Sequence, residues 1–86
     1  MDALDGNAIA GLLVEAFGDE MTSAVGTCAT CGSRRRLAEY AVYLGGPGAV
    51  VRCRQCQSVV LVLVECTGRI CVDAMGLSTL HAPAEP

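Results

Sequence analysis

Apolar and polar positions along this chain follow two different periods. Between Leu4 and Phe17 the apolar residues Leu4, Ile9, Leu12, Leu13, Ala16 and Phe17 recur at a spacing that gathers them near one face of a helix. Leu4-Asp5-Gly6-Asn7 opens this stretch, with Asp5 or Asn7 able to accept from free backbone N–H groups. Gly18 follows it as a natural C′ residue. The pattern predicts a helix over about residues 7–17, weakened at Gly11 by about 1 kcal/mol relative to alanine. Such a helix serves core packing, or docking to a partner or a second copy.

Downstream the period shortens to two. Residues 37–44 read as a strand with Ala38, Tyr40, Val42 and Leu44 on one side. Gly45-Gly46-Pro47-Gly48 is a turn, and residues 49–52 return as a strand. Residues 59–66 are dense in valine, as in a buried strand. Thr67-Gly68-Arg69 turns the chain into a last strand over 70–74, and residues 82–86 read as a frayed tail. The expected fold is α+β: a single domain over 1–86, with an N-terminal helix and about four short antiparallel strands.

The cysteines change this picture most. Cys28-Ala-Thr-Cys31 and Cys53-Arg-Gln-Cys56 are separated by 21 residues, which the predicted hairpin fills. Two residues between cysteines let both thiolates face one ion, and two such turns complete a tetrahedral site. Gly32 supports this, because positive φ after the second cysteine lets backbone N–H groups point at sulfur. Gln57, at the matching place, is a poorer residue for that conformation. The pattern makes Cys28, Cys31, Cys53 and Cys56 metal ligands, with one Zn2+ per chain expected. Iron is the alternative, as in a rubredoxin-like electron carrier; the scarcity of aromatic residues argues against it. The small zinc ribbon would span about residues 25–76. A ligand set closed by four thiolates leaves no open position for catalysis, so an enzyme is not expected.

Composition and charge narrow the function classes. A chain of 86 residues buries a thin core, so a metal staple is in keeping with its size. Half its residues are hydrophobic, yet only Phe17, Tyr40 and Tyr43 are aromatic, so the core must be aliphatic. The low charged fraction implies exposed apolar surface, covered by a protein partner or by self-association. The first 13 residues carry two aspartates and no base, unlike a secretory signal. The longest aliphatic run, residues 59–64, is far short of the roughly 20 residues that span a bilayer. No membrane association is expected. A cytoplasmic, reducing location is, where cysteines serve as ligands or buried thiols.

The net charge of −3 is unevenly spread. Asp2, Asp5, Glu15, Asp19 and Glu20 make the first 27 residues acidic, whereas residues 28–57 hold Arg34, Arg35, Arg36, Arg52 and Arg54 against Glu39 alone. These arginines balance the −2 charge of a zinc tetrathiolate, pair with the acidic N-terminal segment, or form an anion or nucleic-acid contact face. Nucleic-acid modules usually add stacking aromatics or a basic domain, which this chain lacks. His81 reads as a solvated residue of the tail. Cys66 and Cys71 flank the last turn, where they could sit across a hairpin, and read as small buried hydrophobes, with a redox-sensitive disulfide or supplementary metal chemistry as the alternatives.

Leu4-Asp5-Gly6-Asn7, the paired CxxC motifs, Pro47-Gly48 before Val51-Arg52-Cys53, and the strand at 59–64 together resemble a family of small bacterial zinc-ribbon proteins of unassigned function. The resemblance covers roughly residues 4–80 and implies a fold and a metal, but no activity. The leading expectation is a scaffold or protein–protein interaction module held by zinc. The alternatives are a nucleic-acid-binding ribbon and an iron electron carrier.

Overall fold

The helix forms where the 3.6-residue period places it, in a computed structural model that describes residues 4–81. The Asp5 carboxylate accepts from the Asn7 N–H at 3.1 Å and starts a 3-10 turn, Gly6–Ile9, that runs into helix α1, Ala10–Phe17. Gly18 closes α1 at φ 76°, its N–H bonded to the Val14 carbonyl at 2.7 Å. Ile9 and Leu13 carry the apolar face into the core. No helix among the described residues is long and apolar enough to cross a membrane.

The strands among the described residues are β1 (Leu4–Asp5), β2 (Val25–Cys28), β3 (Arg34–Arg36), β4 (Ala41–Gly45), β5 (Gly48–Arg52), β6 (Val59–Cys66), β7 (Arg69–Asp73) and β8 (Leu77–His81). They form two antiparallel sheets, one of order β1-β4-β5-β6-β7 and one of order β3-β2-β8. Among the described residues the fold is therefore mostly β with one α-helix, and eight strands replace the four or so expected. The strand predicted over 37–44 begins only at Ala41. The Leu37 and Ala38 amides are each bonded, at 2.9 Å, to the Ala24 and Thr22 carbonyls, which holds residues 37–39 in a 3-10 turn. β1, β2, β3 and β8 were not anticipated. Through β8 the sheets continue past the expected limit at 76, and His81 pairs with Val25 instead of lying in a tail. The tail predicted over 82–86 lies outside the described residues.

The alternation of β4, β5 and β6 sends Val42, Ala49, Val51, Leu61 and Leu63 to one buried face, where they meet Ile9, Leu13 and Leu37. The core is aliphatic apart from Tyr40, which is fully buried. Its hydroxyl donates to the Gly26 carbonyl at 2.8 Å and so ties the segment before β4 to the smaller sheet. Burial pushes the Tyr40 phenol up to about 12, so it stays a neutral donor. Gly6 touches the 3-10 turn at 37–39 so closely that a β-carbon would lie 1.8 Å from the Leu37 carbonyl oxygen.

Tyr40→Phe keeps the ring and removes only this buried hydrogen bond. We expect a loss of about 1 kcal/mol, read in urea unfolding as a lower midpoint at unchanged slope.

Candidate metal centre

Each cysteine pair occupies the connection between two antiparallel strands. Cys28 ends β2, and Cys31 lies in the turn before β3; Cys53 follows β5, and Cys56 lies in the turn before β6. The two turns share one hydrogen-bond scheme. In the first, the Cys28 N–H reaches the Ser33 carbonyl at 2.8 Å and the Gly32 N–H reaches the Cys28 carbonyl at 2.9 Å. In the second, the Cys53 N–H reaches the Ser58 carbonyl and the Gln57 N–H reaches the Cys53 carbonyl, both at 2.9 Å. Gly32 has φ 78° and Gln57 has φ 69°. Gln57 thus adopts the left-handed geometry despite its side chain, and its carbonyl accepts from Arg52 Nη1 at 2.9 Å.

These paired turns bring all four sulfurs to one place, every Sγ within 4.8 Å of the others. Cys28 and Cys56 are 3.6 Å apart, and Cys31 and Cys53 are 3.7 Å apart. A tetrahedron with Zn–S bonds of about 2.3 Å has edges of about 3.8 Å, so the donor set fits one such ion. The first cysteine of each pair is buried, whereas Cys31 is exposed and Cys56 is half-buried. The site therefore lies at the edge of the core, open enough for an ion to enter.

Without a cation Cys31 and Cys56 compete for protons. The Ser58 hydroxyl lies 3.3 Å from Cys56 Sγ, and together with the Ser58 amide it holds that thiol down, to about 6. At Cys31 the Ser33 amide favours the thiolate. Desolvation and the neighbouring thiols of Cys53, Cys56 and Cys28 outweigh it and push the group up to about 12. A divalent ion reverses this competition, because it binds thiolates and displaces their protons. Ser33 and Ser58 did not stand out in the sequence. Their signal was there: serine follows each CxxC pair at the same offset.

The five arginines do not form one free face. Arg35 Nη2 donates to Gln55 Oε1 at 3.3 Å, linking β3 to the second cysteine turn. Arg36 pairs with Glu39 at 3.6 Å. Arg52 lies 5.9 Å from the Tyr43 ring centroid while it holds the Gln57 carbonyl. Arg54 donates to the carbonyls of Glu39 at 2.9 Å and Leu4 at 3.3 Å. The Arg34 side chain has no hydrogen-bond or ion-pair partner among the described residues, although its backbone pairs with Thr27. No ion pair forms there between the arginines and the N-terminal acids either. An open cleft of about 560 Å³ lies beside this network, lined by Asp5, Asn7, Thr22, Arg36, Glu39 and Arg54 among others. It contains none of the cysteines.

Cys66 and Cys71 lie apart from the cluster. Cys66 pairs with Arg69 and Cys71 with Val64, so the two cysteines are diagonal neighbours on one sheet face, not directly opposed. Neither is fully buried, contrary to the expected core role.

A family model described as "Family of unknown function (DUF6510)" matches residues 1–85. No curated protein and no solved structure matches the chain.

The Gln57 conformation yields a prediction. Left-handed backbone costs a non-glycine residue about 1–2 kcal/mol, and the extra chain entropy of glycine takes back about 0.5–1 kcal/mol. Gln57→Gly should therefore stabilise the metal-loaded protein by about 0.5–1 kcal/mol, and Gly32→Gln should destabilise it by a similar amount. Chemical denaturation at fixed free metal checks both signs.

Proposed function

The chain belongs to this family of unknown function, and we propose that it is a non-catalytic module, stapled by one zinc ion, that binds protein through exposed apolar sheet surface. The convergence of four sulfurs from two identically bonded turns, with closest separations of 3.6 and 3.7 Å, carries this reading. Cys28, Cys31, Cys53 and Cys56 would hold the ion, and four thiolate ligands leave no position for water or substrate. The ribbon-like pairing of two cysteine turns is the architecture that such a site needs. All six cysteines are free thiols, in keeping with a reducing compartment, the cytoplasm in this proposal.

The binding surface is the outward face of the larger sheet. Tyr43, Val50 and Val62 form a cross-strand row on β4, β5 and β6, and Val64 extends it. They line a shallow groove of about 310 Å³ together with Leu44 and Pro47. On this face Tyr43 is 41% exposed, a large aromatic surface left open to a partner. The arginines favour a bracing role over nucleic-acid contact. Four of the five predicted contact residues already bond within the chain, two of them to main-chain carbonyls.

Elemental analysis of the purified protein tests the metal, with sulfur measured alongside to count chains. One zinc per chain is the expected result, with loss of the folded circular-dichroism signal on chelation and in Cys53→Ser. Iron, visible as colour, would replace the staple by an electron carrier. A folded protein without metal would overturn the reading.

A further inference from the structure

Strand β7 is the outer edge of the five-stranded sheet, and its phase is set by the hairpin that delivers it. Thr67 and Gly68 form the two-residue turn, with φ 36° and 81°, the positive pair of a type I′ turn. Cys66 and Arg69 flank that turn, so they are a hydrogen-bonded pair, and so are Val64 with Cys71 and Val62 with Asp73. Arg69, Cys71 and Asp73 therefore direct their main-chain groups at β6. Ile70 and Val72 direct theirs away from the sheet, and no hydrogen bond among the described residues reaches them. Asp73 accepts from the Met75 N–H through one oxygen only, and Arg69 has no ion-pair partner among the described residues.

We propose that β7 pairs antiparallel with β7 of a second copy about a two-fold axis at Cys71, joining the two large sheets edge to edge. The phase permits it: Ile70 and Val72 are the residues that must exchange hydrogen bonds across such an axis, and theirs are the unpaired groups. The side chains agree with the backbone. In this register Arg69 of each copy lies opposite Asp73 of the other, and both are non-hydrogen-bonded positions where side chains approach most closely. Shifting the centre to Ile70 or Val72 separates every Arg–Asp pair. A charged edge strand normally repels its own copy, whereas this one is complementary to itself.

At the axis the two Cys71 residues face each other across a non-hydrogen-bonded pair. Their α-carbons would be about 4.5 Å apart, within the range a disulfide spans. The axis runs perpendicular to the sheet, so both copies turn the same face outward and the Tyr43–Val50–Val62 rows share one surface. Helix α1, with exposed Val14 and Phe17, packs against β7, the junction strand itself.

This inference names the partner within the proposed interaction module, and it can fail separately from the zinc reading. The experiment is light scattering after size exclusion on the full chain, in reducing buffer, over a wide concentration range, with metal measured on each peak. The wild-type protein should be dimeric. Asp73→Arg turns both ion pairs repulsive and should raise the dissociation constant by about tenfold or more. Arg69→Asp combined with Asp73→Arg should restore it. Val72→Pro removes an outward N–H without touching the hairpin bonds, so it should give a folded monomer by circular dichroism. In Cys66→Ser, diamide takes two electrons and two protons from a pair of Cys71 thiols and should trap a Cys71–Cys71 disulfide, mapped by mass spectrometry. A monomer at all concentrations that still carries one zinc overturns the edge pairing alone. So does a dimer that Asp73→Arg and Val72→Pro leave intact, since a different surface would then hold it. A dimer without metal, sensitive to these variants, overturns the zinc reading and leaves the edge pairing standing.

Discussion

The convergence of four sulfurs from two chain segments is the constraint on which the rest of this molecule depends. One cysteine turn grows from β2 of the smaller sheet and the other from β5 and β6 of the larger, so the cluster is where the two sheets are tied. Cys28 and Cys53 are themselves part of the buried core. Side-chain packing and coordination of an ion would therefore act on the same residues. In so small a chain the apolar core alone leaves little margin over conformational entropy. An ion that binds the folded arrangement and not the open chain adds its binding free energy to folding.

Around that cluster the chain uses polar groups sparingly and locally. Among the described residues no polar or charged residue is buried, so almost every polar side chain acts at the surface or at the rim of the site. The arginines show how. Arg52 holds the carbonyl of strained Gln57, and Arg54 gathers the carbonyls of Leu4 and Glu39 from distant parts of the chain. Guanidinium groups fixed beside the cysteine turns satisfy main-chain oxygens and would offset the negative charge of a tetrathiolate. The run Arg34-Arg35-Arg36 also forms an edge strand, where like charges discourage pairing with other chains.

Legibility in the sequence followed the length of the periodic signal. The helix, β5, β6 and β7 stood out because capping, turn residues and several apolar positions agree on each. The four clustered cysteines stood out because thiol chemistry at CxxC spacing has few other uses. The missed strands lack such redundancy. β1 has two residues, β3 is three arginines, and β2 carries Gly26 at a position a strand pattern would not favour. β1 pairs with β4 and β2 with β8, partners distant in sequence, so tertiary contacts define them and local propensity does not. The 3-10 turn at 37–39 was hidden for the same reason. Its alternating sequence suits a strand, and only hydrogen bonds to Ala24 and Thr22 override it. The Cys66–Cys71 relation turned on two residues of register, which a turn of uncertain length does not specify.

The edges of the two sheets are treated unequally, and the inequality bears on function. β1 is too short to template another strand, and β3 is blunted by charge of one sign. β7 is neither: it has five residues, an exposed valine and cysteine, and opposite charges at its two ends. A strand whose only role was to close the sheet would gain from like charges or a proline at this edge. Opposite charges placed symmetrically about a central residue are neutral toward solvent but complementary under a two-fold axis. Association through β7 would leave the metal cluster untouched, since its turns lie on the other strands. The zinc site would then fix the shape of one copy while the edge decides how copies meet, two tasks divided between separate parts of one small fold.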